Sequence, residues 1–154
     1  MKIEMIAEDY NSVITPRISA EKAFEKITHV WEWWTTNFEG SSQKLNDDFT
    51  VRFGETFVTF KVVESVPSKK IAWLVTACYL HWLKNKTEWK DTQLKWKISS
   101  MGDATQIDFT HVGLVPEIDC YSDCKKGWDF YSKESLKKLL SEGKGMPETP
   151  KSAR

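Results

Sequence analysis

Between residues 43 and 113 the apolar residues recur with a period of two, in short runs broken by turn residues. Phe49, Val51 and Phe53 alternate with Thr50 and Arg52, and Gly54 turns the chain. Val58, Phe60 and Val62 follow, then Pro67-Ser68, then Ile71, Trp73 and Val75. Leu94, Trp96 and Ile98 alternate with lysines, and Met101-Gly102-Asp103 separates them from Ile107 and Phe109. Only a strand puts every second side chain on one face. Short turns between such strands predict an antiparallel meander with one apolar face, which another layer must cover.

The flanking segments supply that cover. Residues 10–17 read as a short strand, with Pro16 restricting it to a sheet edge or a strand end. Ser19 is a good N-cap for the helix-forming run AEKAFEKI, whose Ala23, Phe24 and Ile27 make a narrow apolar stripe. A second short helix or turn carries residues 29–34, including Trp33 and Trp34. From about 118 to 142, Trp128, Tyr131, Leu136, Leu139 and Leu140 stand among lysines as one amphipathic helix, stopped by Gly143 and Gly145. The expected division is one domain over residues 1–147 and a flexible polar tail over 148–154. One long helix across a curved sheet leaves a space in which a ligand can sit.

Charge removes several functions. Lys+Arg 22 against Asp+Glu 22 leaves no net charge, whereas nucleic-acid binders draw most of their affinity from a basic excess. No run approaches the roughly 18 apolar residues of a membrane span. The first residues lack a signal-peptide pattern, and the three cysteines, Cys78, Cys120 and Cys124, read as reduced thiols, so the expected location is the cytoplasm. The expected oligomeric state is a monomer.

Within this order of elements, the run TQIDFTHVGL at 105–114 resembles the last strand of the SRPBCC, or START-like, proteins. The match is to the branch named after the activator of the heat-shock-protein-90 ATPase. Trp33-Trp34, VVESVPSKKIAW at 62–73, Gly127-Trp128, Tyr131, Ser135-Leu136 and GKG at 143–145 are similar to that branch in the same order. The resemblance implies an α+β helix-grip fold: about seven antiparallel strands around a long C-terminal helix, with two short helices after the first strand and a cavity between helix and sheet. It implies no particular reaction, because the superfamily includes carriers, receptors, cyclases and co-chaperone domains. The co-chaperone that names the branch carries a further N-terminal domain for which this chain has no room.

The candidate chemistry is sparse. No nucleophile elbow, HExxH, Walker loop or GxGxxG occurs. His111 shares the parity of Ile107 and Phe109, so it is expected to point inwards, either as a ligand-facing donor or base or as a histidine tied up at a strand end. Cys120 and Cys124 lack the second pair that a zinc site needs, and no metal or cofactor is expected. Among Glu88, Asp108, Glu117, Asp119 and Asp123 no inward-facing pair suits a carboxylate hydrolase.

Aromatic residues make up 13% of the chain, with 8 Trp and 8 Phe. Such rings either wall a pocket or fill a core. The pocket reading names Phe60, Trp73, Trp96, Phe109, His111, Trp128 and Tyr131 as the ligand-binding set, with an apolar or aromatic small molecule as partner. A cyclase or hydrolase using His111 and a co-chaperone-like interaction domain are the alternatives.

Overall fold

The computed structural model describes residues 9–116, 118 and 120–148. The chain begins with strand β1 (Tyr10–Ile14), then helices α1 (Ala20–Thr28) and α2 (Val30–Trp33). Six further strands follow: β2 (Phe38–Gly40), β3 (Asp48–Phe53), β4 (Thr56–Val66), β5 (Lys70–Tyr79), β6 (Gln93–Met101) and β7 (Ala104–Val112). They form one antiparallel sheet in the order β1-β7-β6-β5-β4-β3-β2. The run containing Pro16 is an edge strand, and it ends at Ile14, before the proline. The three-residue β2 has no period of its own in the sequence. It exists because Phe38 and Glu39 pair with Val51 and Thr50 of β3.

The period of two survives in the burial of each strand: Phe49 and Val51, Val58 and Phe60, Trp73 and Val75, Leu94 and Trp96, and Ile107, Phe109 and His111 all point inwards. The register sets large side chains opposite one another, Trp96 against Phe109, Phe60 against Phe49 and Trp73 against Leu94. Cross-strand neighbours of this kind are the unit of sheet stabilisation. Register shifts at Thr59/Phe60 and Val62/Glu64 bend β4 against β5.

Ser19 caps α1 by accepting the Lys22 N–H at 3.1 Å. The stripe of α1 then buries Ala23 and Ile27 against the sheet. The C-terminal helix runs unbroken from Tyr121 to Glu142, but in three pieces: α3 (Tyr121–Trp128), a π-helical stretch (Asp129–Ser135) and α4 (Leu136–Glu142). The reason lies in the spacing of its buried face. Cys120, Cys124, Trp128, Ser132, Leu136 and Leu140 are all buried, every fourth residue. In a pure α-helix each step of four overshoots a turn by about 40°, so this row would wind away from the sheet. The wider π turns, closed by i→i+5 bonds, cancel that drift. Ser132 marks the adjustment: its hydroxyl donates to the Trp128 carbonyl at 2.7 Å and lies 3.0 Å from the Ser12 hydroxyl of β1.

Beyond the helix the chain doubles back as a strap. Ser135 Oγ donates to the Trp33 carbonyl and accepts the Met146 N–H, both at 2.7 Å. Gly145 is needed there, since a Cβ would stand 2.5 Å from the Glu32 carbonyl oxygen. Glu148, the first residue of the expected tail, is held by backbone hydrogen bonds. The Glu148 N–H donates to the Trp34 carbonyl at 2.8 Å, and the Glu148 carbonyl accepts the Thr36 N–H at 2.9 Å. Residues 149–154, the rest of the expected tail, lie outside the described residues, as do residues 1–8. No helix among the described residues is long and apolar enough to cross a membrane.

Candidate functional site

The rings divide into two populations. Trp33, Trp73, Trp96, Phe49, Phe60 and Phe109 are fully buried and pack on one another. Trp96 stacks on Phe109 with centroids 4.2 Å apart, and Trp33 and Trp73 meet the Trp96 ring at 5.5 and 5.7 Å. Helices α1, α2 and α4 close this end of the groove, and side chains fill it.

At the other end, beneath α3, the groove is open. A pocket of ≈ 310 Å³ lies between α3, the start of β4 and the loop joining β5 to β6. One continuous aromatic wall lines it. Trp89 stacks parallel to Trp128 at 6.0 Å, Trp128 meets Trp34 at 4.8 Å, Trp34 meets Phe53 at 5.9 Å, and Phe53 meets Tyr131 at 6.1 Å. Val58 and Leu80 add aliphatic surface, and the half-exposed Trp82 stands at the mouth. On the helix side the wall contains Gly127, where an added Cβ would meet nothing within 4 Å. A glycine inside a helix costs about 1 kcal/mol relative to alanine. Here it leaves space over the pocket instead of making a close contact.

Polar groups are few. Tyr131 Oη donates to the Glu148 carboxylate at 3.4 Å, and burial together with that negative charge pushes the phenol up to about 12. Thr56 Oγ1 accepts the His81 N–H at 3.0 Å, and the exposed Asp123 lies at the rim.

His111 does point inwards, and it is fully buried. Both ring nitrogens are used inside the protein. The Trp128 indole N–H donates to Nδ1 at 3.0 Å, which places the ring proton on Nε2. Nε2 donates to Thr92 Oγ1 at 2.9 Å, and Thr92 passes its own proton to the Trp89 carbonyl at 2.6 Å. Burial lowers the His111 pKa to about 3, so the ring is neutral at ordinary pH. It has no lone pair left to take a substrate proton, and its chain of bonds ties α3 and the β5–β6 loop to β7.

The cysteines are free thiols and all three are buried. Cys120 Sγ accepts the Trp89 indole N–H at 3.3 Å. A hydrogen bond made by the Cys124 thiol to the Cys120 side chain, with burial, pushes that thiol well above the usual range, so Cys124 in the pocket wall stays protonated. Among the described residues no group of three or more His, Cys, Asp or Glu side chains could hold a metal ion.

Of the seven residues named from sequence, Trp128 and Tyr131 line the pocket. Phe60, Trp73, Trp96 and Phe109 belong to the filled core, and His111 sits behind Trp128. Trp34, Phe53, Trp82, Trp89 and Gly127 complete the wall. Trp82 and Trp89 occur in the irregular segment 80–92, where no period indicates a face. Of the candidate carboxylates, Glu117 and Asp119 lie outside the described residues.

No protein-family model matches the chain, and no curated protein matches it. Solved structures do. The Aha1 dimer from Colwellia psychrerythraea superposes with a TM-score of 0.71 at 24% identity, over 90% of this chain and 99% of that one. DynU16, a putative protein in the dynemicin biosynthetic locus, gives a TM-score of 0.64 at 16% identity over 90% of this chain, which spans 49% of that chain. CalU16 from Micromonospora echinospora gives a TM-score of 0.61 at 12% identity, over 82% of this chain and 73% of that one. The fold is the helix-grip fold that the motifs implied: a seven-stranded antiparallel sheet, a long C-terminal helix and short helices after the first strand.

Proposed function

We propose that the protein binds and carries an apolar or aromatic small molecule in the pocket beneath α3, without turning it over. The observation that carries this reading is the unbroken aromatic wall around an opening of ≈ 310 Å³. That size falls at the low end of ligand pockets, roughly 300–1,000 Å³. Apolar wall area supplies the affinity, and the few polar groups set orientation. The spent nitrogens of His111 and the protonated Cys124 thiol favour a carrier over an enzyme.

The ligand-contacting set is Trp34, Phe53, Trp82, Trp89, Trp128 and Tyr131, with Trp128 and Tyr131 retained from the sequence reading. The working state is a monomer in the cytoplasm. The sheet edges are short, five residues in β1 and three in β2, which leaves little backbone for pairing with a second copy.

Titration of a naphthalene-based fluorescent probe should change the tryptophan emission. Gly127→Leu should abolish that change while leaving the far-ultraviolet circular dichroism and the unfolding midpoint close to those of the parent. Undiminished probe binding by a folded Gly127→Leu variant would move the site elsewhere, and no binding by the parent would end the carrier reading.

A further inference from the structure

The charge around the pocket restricts what it takes. No Lys, Arg or His side chain contributes to the wall among the described residues, and its one carboxylate is that of Asp123 at the rim. A second carboxylate, Glu148, stands behind Tyr131. Three of the wall's polar hydrogens are already donated within the protein. Trp89 gives its N–H to Cys120 Sγ, Trp128 gives its N–H to His111 Nδ1, and Tyr131 gives its hydroxyl to Glu148.

Six of the twelve residues around the space are aromatic, and the faces of such rings carry negative electrostatic potential. Nearby cations stand outside the wall. The Lys86 ammonium is held by the carbonyls of His81 and Leu83, 2.7 Å from each, and lies over the Tyr79 ring. Lys125 pairs with Asp129 at 3.2 Å, and Lys126 is exposed on the helix.

An anionic ligand, such as a fatty acid or an aryl carboxylate, would enter this pocket without a counter-charge and beside a carboxylate. Burying an unpaired charge is strongly unfavourable. An organic cation would meet tryptophan faces and Asp123, and a cation over an aromatic face is attracted more strongly as water is excluded. Resting on the small-molecule reading above, we infer that the pocket selects apolar molecules bearing a positive charge, of the quaternary-ammonium or protonated-amine class, over neutral and anionic molecules of the same shape.

Three naphthalene probes of matched size test this by calorimetric titration: a trimethylammonium, its neutral tert-butyl isostere and a sulfonate. The cation should bind about fivefold or more tighter than the neutral isostere, with the sulfonate weakest. Asp123→Asn, a change at an exposed position, should narrow the gap between cation and neutral probe by weakening the cation more than the neutral probe. Equal affinities, or a preference for the sulfonate, would overturn the charge inference and leave the carrier reading standing. If neither the cation nor the neutral probe binds, the carrier reading falls and takes this inference with it.

Discussion

The two ends of the groove use the same residue type for opposite purposes. At the closed end Trp33, Trp73 and Trp96 are buried against one another and against α1, α2 and α4. At the open end Trp34, Trp82, Trp89 and Trp128 stand around an empty volume. The rings themselves do not differ; what faces them does. Opposite Trp96 and Phe109 come Trp33 and Trp128, bulky enough to reach across. Around the pocket, Trp34 and the loop residue Trp89 are met by a helix that presents Gly127. An aromatic side chain therefore becomes core or wall according to the volume of its partner across the groove.

This contrast breaks most visibly under truncation. Phe109→Ala, in the closed end, should cost about 3–5 kcal/mol in denaturant unfolding, because it leaves a cavity where neighbours cannot collapse. Trp82→Ala at the half-exposed mouth should cost under about 1 kcal/mol and show instead as weakened probe binding. Equal stability losses would mean that the two ends are packed alike.

Acid should loosen the link between the two ends. His111 titrates near 6.5 when unfolded and at about 3 when folded, so between these values the unfolded chain holds the extra proton. Stability that is fully present above pH 6.5 should therefore fall by roughly 1.4 kcal/mol per pH unit as the pH drops below it. Unfolding curves between pH 7 and 4.5 measure this above the range where most carboxylates titrate. His111→Gln should flatten the slope, and an unchanged slope would mean that the ring is not held neutral.

Gly127→Ala sharpens the comparison from the open side. It should raise stability by about 0.8–1 kcal/mol through helix propensity, because the new methyl group enters empty space. The same change should weaken binding of the larger probes. A loss of stability would mean that the pocket is closed over Gly127 in solution.

The smallest effect is expected at Trp73. Its indole N–H and that of Trp96 are buried without a hydrogen-bond acceptor among the described residues. An unsatisfied buried donor costs about 1–3 kcal/mol. Trp73→Phe removes that penalty while losing some packing, so the net change in the thermal midpoint should be close to zero. A loss as large as that of Phe109→Ala would show that the N–H is satisfied in solution.

Periodicity by itself determined the sheet. Alternation places Phe60, Trp73, Trp96, Phe109 and His111 inwards, and each of them is buried, because a strand leaves a side chain only two faces to choose from. The cap at Ser19, the end of β1 before Pro16 and the helix stop near Gly143 were equally local, being set by backbone geometry within a few residues. Burial, however, does not say what occupies the space in front of a ring. That depended on contacts between residues far apart in sequence: the indole of Trp128 on His111, Ser135 holding both Trp33 and Met146, and the loop that sets Trp89 beside Trp128. The π-helical stretch lies between these cases. The four-residue spacing from Cys120 to Leu140 is plain in the sequence, but only a sheet that keeps the whole row facing it makes the helix rewind. The pocket is likewise a property of two surfaces meeting, and no local pattern of either surface contains the gap between them.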